Sequence, residues 1–442
     1  MRSSALPPGP GIIEAFNFVR SPFQFLDDCA RRYGEWFTLR VPGVAPFVFI
    51  SDPKVIREIF QGDPARLHAG KANLPLGAFM GEKSILFVDG EAHLHDRRLI
   101  LPAFGGERMK SYGAAMRSIA RESIARFPIG TPFEIHPRLR TITFEVIMRT
   151  VFGLDTRPEA ARLKQTLRRF FAVSTGRLGP LLAIPAFRLD LGPWSPWGKQ
   201  VRINRELEPL LFSEFSRRRD DPGTGGDDIL SMLLAARDEN GAPLSDSVLR
   251  DEMMTLILAG HETTAASLAW TINRMLTNPE VMRQARSEAL AAPLDADPGQ
   301  LKYLDAVINE TMRLDTVVPN VGRELQTPMT IAGRELPSGV VLAPCIYLAH
   351  RRPDLWPEPE KFNPSRFIES RPAPYAFFPF GGGTRRCIGA TFATYQMKIV
   401  LTELLRSVEL APSPGYVAKP IRAGIALAPS KGLPVVAERT IG

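Results

Sequence analysis

Ten residues near the carboxyl end, Phe380 to Gly389, constrain this chain most. Three adjacent glycines lead through Arg385 to a single cysteine, Cys387. Because glycine has no Cβ, the backbone here could approach a flat ligand closely. The residues after Cys387 predict the first turns of a helix, where free N–H groups and the helix dipole favour a thiolate. The stretch therefore predicts a nucleophile or a metal ligand facing a large planar cofactor, and a buried structural cysteine beside a glycine turn is the alternative.

The spacing F-x-x-G-x-x-x-C-x-G resembles the haem-binding signature of the cytochrome P450 family, and every fixed position is matched. The resemblance implies haem b (iron protoporphyrin IX) as the cofactor and Cys387 as the axial ligand of its iron. It also implies that small or aromatic residues of this loop and of a central helix contact the haem. Those residues are Phe380, Gly381, Gly389, Ala259 and Gly260.

Local patterns predict a helix-rich fold with few strands. Between about residues 93 and 320 the apolar spacing is mostly helical, and short strands are predicted at 37–41, 47–50, 329–331 and 340–342. Ser21 and Gln24 have the pattern of a capping box before a helix that Gly34 ends. Together these patterns predict a mainly α fold with a minor β-sheet.

The resemblance covers nearly the whole chain, from about Pro7 to about Val436. It implies a single cytochrome P450-type haem domain over residues 1–442, without a fused reductase. In that fold, haem is buried between the central helix and the helix that follows the cysteine ligand. The loop at 220–228 is acidic and glycine-rich, but helical patterns resume on both sides of it, so we expect no domain boundary there.

A formal net charge of +8 raises the question of a nucleic-acid partner. Basic and acidic residues are interleaved, so we expect no nucleic acid and at most a basic patch for an acidic electron donor. Three scattered cysteines, Cys29, Cys345 and Cys387, do not suit a disulfide framework. The amino terminus lacks the apolar core of a signal peptide, and no apolar run approaches the ~18 residues of a membrane span. We expect a cytoplasmic monomer without a membrane anchor.

A long central helix is predicted over residues 245–278, with Ala259–Thr264 in its middle. A threonine inside a helix can hydrogen-bond back to the carbonyl one turn earlier and loosen the helix. This segment resembles the family's oxygen-activation motif, which implies that Thr263 hydrogen-bonds the oxygen being activated and that Glu262 relays protons inward. A solvated glutamate and an ordinary threonine are the alternative. His261 is assigned no chemistry.

A glutamate and an arginine three residues apart, Glu310 and Arg313, share one helix face. Taken alone they would form a surface ion pair of little energetic value. They resemble the family's E-x-x-R motif, and the segment around Arg366 resembles its partner. The resemblance implies a buried triad that holds the cysteine loop in place, which is a structural role.

The two propionates of haem require basic groups from separate segments. His93 and Arg97, four residues apart on a predicted helix, resemble the family's haem-facing pair. Arg385 and Arg323 are the other propionate candidates that the resemblance implies, and scattered surface arginines are the alternative for Arg323. Arg98 and Arg386 are predicted to be surface residues, where they could face the redox partner.

The resemblance implies a monooxygenase that inserts one atom of O2 into an apolar substrate. Its electrons would come from a separate ferredoxin or flavodoxin with an NAD(P)H-dependent reductase, since no dinucleotide or flavin module is recognised. The substrate would be a lipophilic small molecule, for which fatty acids, terpenoids, steroids and macrolide-like compounds all remain open. Pocket candidates show no charged anchor, residues 176–197 are predicted to form a lid, and core packing explains the candidates equally well. They are Phe79, Leu258, Val317, Val318, Val321 and Ile425.

Two other functions remain open at this stage. A peroxygenase of the same fold would use H2O2 directly, although such relatives usually lack the acid–alcohol pair that Glu262 and Thr263 provide. A non-catalytic carrier of haem or of a lipophilic compound would keep the fold without the chemistry. Retention of Cys387, of the acid–alcohol pair and of the predicted triad together favours the monooxygenase.

Overall fold

Helices make up most of the structure. The computed structural model describes residues 6–15, 17–74, 77–154, 157–174, 176, 188–221, 226–237 and 241–440. Of these described residues, 56% are helical and 12% lie in strands. The predicted mainly α class is confirmed. The α-helices in the described ranges are α1 (Ile12–Ala15), α2 (Asn17–Arg20), α3 (Pro22–Tyr33), α4 (Pro53–Gln61), α5 (Ala69–Asn73), α6 (Gly77–Met80), α7 (Gly90–Ile100), α8 (Gly106–Ile124), α9 (Ile135–Thr150), α10 (Pro158–Ser174), α11 (Pro196–Asp220), α12 (Ile229–Ala235), α13 (Asp246–Thr277), α14 (Pro279–Ala291), α15 (Lys302–Leu314), α16 (Ile346–Ala349), α17 (Arg366–Glu369) and α18 (Ala390–Ser407).

The strands are short and form several small sheets. The largest sheet has the order β1-β2-β8-β5-β3, in which β2 and β8 are parallel and the other pairs are antiparallel. A second sheet has the order β4-β12-β9, and β6–β7 and β10–β11 are hairpins. The strands are β1 (Trp36–Leu39), β2 (Phe47–Ile50), β3 (Leu67–His68), β4 (Pro132–Glu134), β5 (Arg323–Leu325), β6 (Met329–Ile331), β7 (Arg334–Leu336), β8 (Val341–Pro344), β9 (Val408–Pro412), β10 (Pro420–Ala423), β11 (Ala426–Pro429) and β12 (Pro434–Thr440).

Local sequence signals explain where several helices begin and end. The side chains of Asp52 and Ser245 accept backbone N–H groups in the first turns of α4 and α13. Gly34, with φ of 82°, ends α3 as predicted. The capping box predicted at Ser21 is wrong, because the Ser21 side chain makes no capping hydrogen bond. Pro22 at the first position is the remaining start signal of α3.

Helix α13 is the central element of the fold. It extends from Asp246 to Thr277, as the sequence predicted, and most of its side chains are buried. Helices α9, α15 and α18 and strand β11 pack against it. Because the helix is enclosed on several sides, any residue of its middle that remains accessible must face a space inside the protein. None of the helices in the described ranges combines the length and the apolar character that a membrane crossing requires.

Candidate functional site

The loop that carries Cys387 lies between a short 3-10 turn, Gly383–Arg385, and helix α18. The helix begins at Ala390, three residues after the cysteine, with Gly389 at its cap position. The N–H of Cys387 donates to the carbonyl of Phe380 at 2.9 Å and closes the loop. Cys387 is exposed, yet the surrounding protein strongly desolvates its sulfur. The sulfur therefore faces an open space within the structure.

The surroundings of Cys387 do not stabilise a thiolate by themselves. Burial raises the pKa of the Cys387 thiol, and it outweighs the Gly389 N–H and the charges of Arg97 and Arg386, which lower that pKa. The N–H at the helix start does favour the thiolate, as the sequence predicted, but in the protein alone burial outweighs it. Since a metal ion deprotonates a thiol that coordinates it, the loop suits a metal ligand better than a free nucleophile.

Two of the three adjacent glycines are required by packing between protein segments. A Cβ on Gly382 would lie 2.3 Å from a ring carbon of Phe60, and one on Gly383 would lie 2.1 Å from the Phe60 carbonyl oxygen. The interpretation that all these glycines make room for a flat ligand is wrong for this pair. Gly381, with φ of 68°, needs glycine for its backbone conformation. A Cβ on Gly389 would meet nothing within 4 Å, so open space adjoins it.

The middle of α13 is accessible where the rest of the helix is buried. Ala259 is exposed, and Gly260 and Thr263 are half-buried. The Thr263 hydroxyl donates to the Ala259 carbonyl at 2.6 Å, which is the back-bond expected from the sequence, and the helix continues without a break. Gly260 has a second reason to be small, because a Cβ there would lie 2.8 Å from the Ile147 side chain of α9. Ala259 and Thr263 therefore border an internal space.

Glu262 is buried and paired. Its carboxylate forms an ion pair with Arg140 of α9 and lies 3.2 Å from Nε2 of His261. Burial acts to raise the pKa of Glu262, but the hydrogen bond with His261 and the charges of His261 and Arg140 outweigh it, and the pKa is lowered. The alternative of a solvated glutamate does not apply. Glu262 is held as a carboxylate inside the protein.

Sequence reasoning missed the residues that hold Glu262. His261 is buried, with Nδ1 2.8 Å from the Ile257 carbonyl oxygen. His136 of α9 is also buried, and burial lowers its pKa to about 4. The Arg140 side chain is 36% exposed, so this polar cluster extends from solvent to Glu262. A histidine directly before the acid is the only sequence signal, since α9 lies more than a hundred residues away along the chain.

Four basic residues from three segments converge beside the cysteine loop. His93, Arg323 and Arg385 line one cavity. The charge of Arg97 acts to lower the pKa of both Cys387 and His93, so Arg97 lies close to both. Burial and the charges of Arg385 and Arg97 lower the pKa of His93 to about 4. Burial and the charge of Arg385 lower the pKa of Arg323 to about 10. Crowded, desolvated cations of this kind favour a bound anion.

Asp89, just before α7, is a further member of this region that the sequence did not reveal. It forms an ion pair with Arg385, which also donates to backbone carbonyls of the segment before α7. Arg97 donates to the carbonyl of Arg386 at 2.8 Å and so joins α7 to the cysteine loop. Arg98 and the Arg386 residue itself are exposed.

The structure brings Glu310, Arg313 and Arg366 together. Glu310 and Arg313 are fully buried and share two hydrogen bonds of 2.7 and 2.8 Å, and Arg366 lies 3.4 Å from the same carboxylate. Arg313 also donates to the His350 carbonyl at 2.9 Å. The Nε2 of His350 accepts the N–H of Phe378 at 2.9 Å, directly before the cysteine loop. His350, which sequence reasoning missed, thus connects the triad to the loop.

The pocket candidates differ in accessibility. Leu258 and Val317 are buried in hydrophobic clusters, so packing explains them. Val318, Val321 and Ile425 are half-buried and can face a ligand. The side chain of Phe79 lies outside the described residues, as do residues 177–187 of the predicted lid at 176–197.

Comparison with known proteins gives matches over almost the whole chain. The family model for cytochrome P450 matches residues 5–435. Putative cytochrome P450 135B1 of Mycobacterium tuberculosis is 38% identical over 434 residues, which cover 97% of this chain and 91% of the relative. Putative cytochrome P450 135A1 of the same species is 35% identical over 448 residues, covering 100% of this chain and 97% of the relative.

Solved structures agree with these relatives. Retinoic acid-bound cyanobacterial CYP120A1 superimposes with a TM-score of 0.86 at 28% identity, covering 99% of this chain and 100% of that chain. The haem domain of cytochrome P450DA superimposes with a TM-score of 0.82 at 24% identity, covering 99% of each chain, which shows the shared fold. The chain therefore belongs to the cytochrome P450 family, the haem-thiolate monooxygenases whose cofactor is haem b.

Proposed function

We propose that this protein, acting as one haem domain over residues 1–442, uses two external electrons to insert one atom of O2 into a lipophilic small molecule. The product would be a hydroxylated or epoxidised compound. One observation carries the proposal: the Cys387 sulfur and the middle of α13 are both accessible inside an otherwise buried structure. A cluster of desolvated cations lies beside them.

The residues present fit haem. Cys387 offers an accessible sulfur, and Ala259, Gly381 and Gly389 leave the backbone approachable. Phe380 and Gly260 would complete the contacts with the ring. Binding of two propionates would satisfy the basic cluster, formed by His93, Arg97, Arg323 and Arg385. When bound, haem supplies the redox chemistry that activates O2.

The protein's own side chains would supply orientation and protons. Thr263 is half-buried and its hydroxyl is held by a 2.6 Å hydrogen bond to the Ala259 carbonyl, from where it would assist the activation of O2. Glu262 would pass protons inward, since it is a buried carboxylate whose partner Arg140 reaches solvent. Burial of the site keeps bulk water away and makes proton supply depend on these few groups.

The electron donor in this proposal is a ferredoxin or flavodoxin with an NAD(P)H-dependent reductase. Arg386 is exposed next to Cys387, and Arg98 is exposed on α7, the helix that Arg97 joins to the cysteine loop. Exposed cations at this position suit the acidic surface of a small electron carrier. The substrate would be a fatty acid, terpenoid, steroid or macrolide-like compound, bordered by Val318, Val321 and Ile425.

The first test is spectroscopic. The dithionite-reduced protein under carbon monoxide should show the strongly red-shifted Soret band of a thiolate-ligated haem, and Cys387→Ser should lose it. Cys29→Ser is the matched control, because Cys29 belongs to α3 and is buried in a separate hydrophobic cluster. Its replacement should leave the band unchanged. Absence of the band in the haem-loaded wild-type protein would refute the assignment.

The second test separates the monooxygenase from its relative that uses peroxide. Product formation from a surrogate ferredoxin, reductase and NADPH is compared with product formation from H2O2. The proposal expects reductase-dependent turnover. Efficient turnover with peroxide and none with the reductase system would identify a peroxygenase instead.

A further inference from the structure

Asp89 stands at the N-cap position of α7, yet its side chain makes no capping hydrogen bond to that helix. An aspartate at this position normally accepts an N–H of the first helical turn and so stabilises the helix. Here Oδ1 accepts the Gly70 N–H at 2.9 Å and Oδ2 accepts the Lys71 N–H at 3.1 Å. The local signal for a cap is therefore overridden by contacts with α5, an earlier segment of the chain.

The packing around the Asp89 carboxylate fixes its position. A Cβ on Gly70 would lie 2.0 Å from the Phe87 carbonyl oxygen and 2.7 Å from Oδ2 of Asp89, so glycine is required there. The Asp89 side chain is 11% exposed and forms an ion pair with Arg385, whose side chain is 12% exposed. Nδ1 of His68 lies 3.6 Å from the same carboxylate. Asp89 thus joins the end of β3, the start of α5 and the cysteine loop.

Asp89 is also the acidic member of the basic cluster. Its charge acts on His93, Arg323 and Arg385. Among the described residues, the hydrogen bonds of Arg97 and Arg323 go to backbone carbonyls, which carry no net charge. The Asp89 carboxylate is therefore the group that neutralises part of the positive charge of this cluster.

The net charge of the cluster matches the anions that it is proposed to hold. His93 is uncharged at neutral pH, because burial and the charges of Arg385 and Arg97 lower its pKa to about 4. The three guanidinium groups of the cluster, less the one carboxylate of Asp89, leave a net charge of +2. Two ionised propionates carry the equal and opposite charge. Without Asp89 one positive charge would remain unbalanced in a desolvated place, where charge is costly.

The balance matters for electron transfer, because reduction of ferric to ferrous iron lowers the positive charge of the site by one unit. A nearby carboxylate favours the more positive, ferric state, and a nearby cation favours the ferrous state. A residue that sets the net charge beside the haem therefore also affects how readily the iron accepts the electron of the donor.

We propose that Asp89 is a positioning residue of the haem site, which fixes the Arg385 side chain, balances the charge of the propionate cluster and so keeps the reduction potential of the iron low. This inference rests on the proposed binding of the propionates by the basic cluster. It adds a function for an acidic residue in a site whose other polar members are basic.

The test measures the reduction potential of the haem-loaded protein by spectroelectrochemical titration, without substrate or turnover. Asp89→Asn keeps an oxygen that can accept a backbone N–H but loses the charge. It should raise the equilibrium constant for one-electron reduction about threefold or more, a shift of at least ~28 mV at about 59 mV per tenfold change. Asp89→Ser, the second neutral variant, should shift the potential in the same direction, and Asp89→Glu should stay near the wild type.

Glu91→Gln is the matched control. Glu91 is exposed in the first turn of α7, so its replacement removes the same charge two residues away, where solvent screens it. The potential of Glu91→Gln should stay close to that of the wild type.

A double variant separates the effect of charge from that of structure. Arg385→Gln removes one positive charge and should lower the potential, whereas Asp89→Asn combined with Arg385→Gln has the original net charge and should return toward the wild type. A purely structural role of Asp89 predicts no such return. Where Arg385→Gln loads no haem, the comparison of Asp89→Asn, Asp89→Glu and Glu91→Gln decides by itself.

The inference is overturned by an unchanged or lowered potential in Asp89→Asn, or by a shift no larger than that of Glu91→Gln. A lower melting temperature or haem content of Asp89→Asn with an unshifted potential would likewise refute it and leave a structural contact only. Absence of the carbon monoxide band in the wild type would instead refute the haem-thiolate assignment, whereas these variants can fail the test while that band is normal.

Discussion

Replacement of Arg313 by alanine should unfold the cysteine loop and yield protein without haem. Arg313 makes two hydrogen bonds to Glu310 and donates to the carbonyls of His350 and Pro359 at 2.9 and 2.7 Å, with no solvent exposure of either charged side chain. The substitution leaves Glu310 buried with Arg366 as its remaining cation. Breaking a buried pair in this way typically costs about 3–5 kcal/mol. That is a large part of the roughly 5–15 kcal/mol that holds a folded protein together.

The assay is urea unfolding followed by circular dichroism, together with the ratio of Soret to protein absorbance. Arg313→Ala should lower both the unfolding midpoint and the haem content, and Arg313→Lys should fall between it and the wild type because lysine cannot reproduce the two-pronged contact. Arg283→Ala is the matched control, since Arg283 pairs with Glu280 at the same spacing but both side chains are more than 70% exposed. Its effect should be small. Normal haem content and an unchanged midpoint in Arg313→Ala would refute the reasoning.

Two further outcomes are expected. Thr263→Ala removes a hydroxyl of α13 that donates to the Ala259 carbonyl and that we propose assists O2 activation. The variant should keep the haem spectrum while NADPH consumption yields peroxide in place of product. Unchanged coupling of NADPH consumption to product would contradict this role. Glu252→Gln concerns stability: burial raises the pKa of Glu252 to about 8, and its Oε1 accepts the Ile85 N–H at 2.6 Å. Between about pH 5 and 8 the folded protein keeps a proton that the unfolded chain has lost, so wild-type stability falls as pH rises, and the advantage of Glu252→Gln in urea midpoint should grow over this range. An equal advantage of Glu252→Gln in urea midpoint at about pH 5 and about pH 8 would show that Glu252 is already ionised in the folded protein.

Features that depend on local patterns could be predicted from the sequence. The central helix begins at the Ser245 cap and ends before Pro279, because capping and proline signals act within a few residues. The back-bond of Thr263 likewise needs only the helix itself. The capping prediction was wrong at Ser21, because the Ser21 side chain makes no capping hydrogen bond and Pro22 remains as the start signal of the helix.

Features that depend on distant segments could not be predicted. Arg140 and Glu262 are 122 residues apart, and Asp89 and Arg385 are 296 residues apart. No spacing rule connects such positions in a single sequence. The same holds for Phe60, whose ring and carbonyl explain Gly382 and Gly383 of the cysteine loop better than a ligand does. The glycines of this loop therefore serve both packing between protein segments and access for a ligand, and only the second could be inferred from the sequence.

The position of His350 has a consequence for how this fold can change. Its ring nitrogen accepts the N–H of Phe378, and its carbonyl accepts a hydrogen bond from Arg313. Glu310, Arg313 and His350, which hold the cysteine loop, are thus different residues from Val318, Val321 and Ile425, which we propose border the substrate. Substitutions at the pocket residues can therefore change which substrate binds without disturbing the residues that hold the cysteine loop.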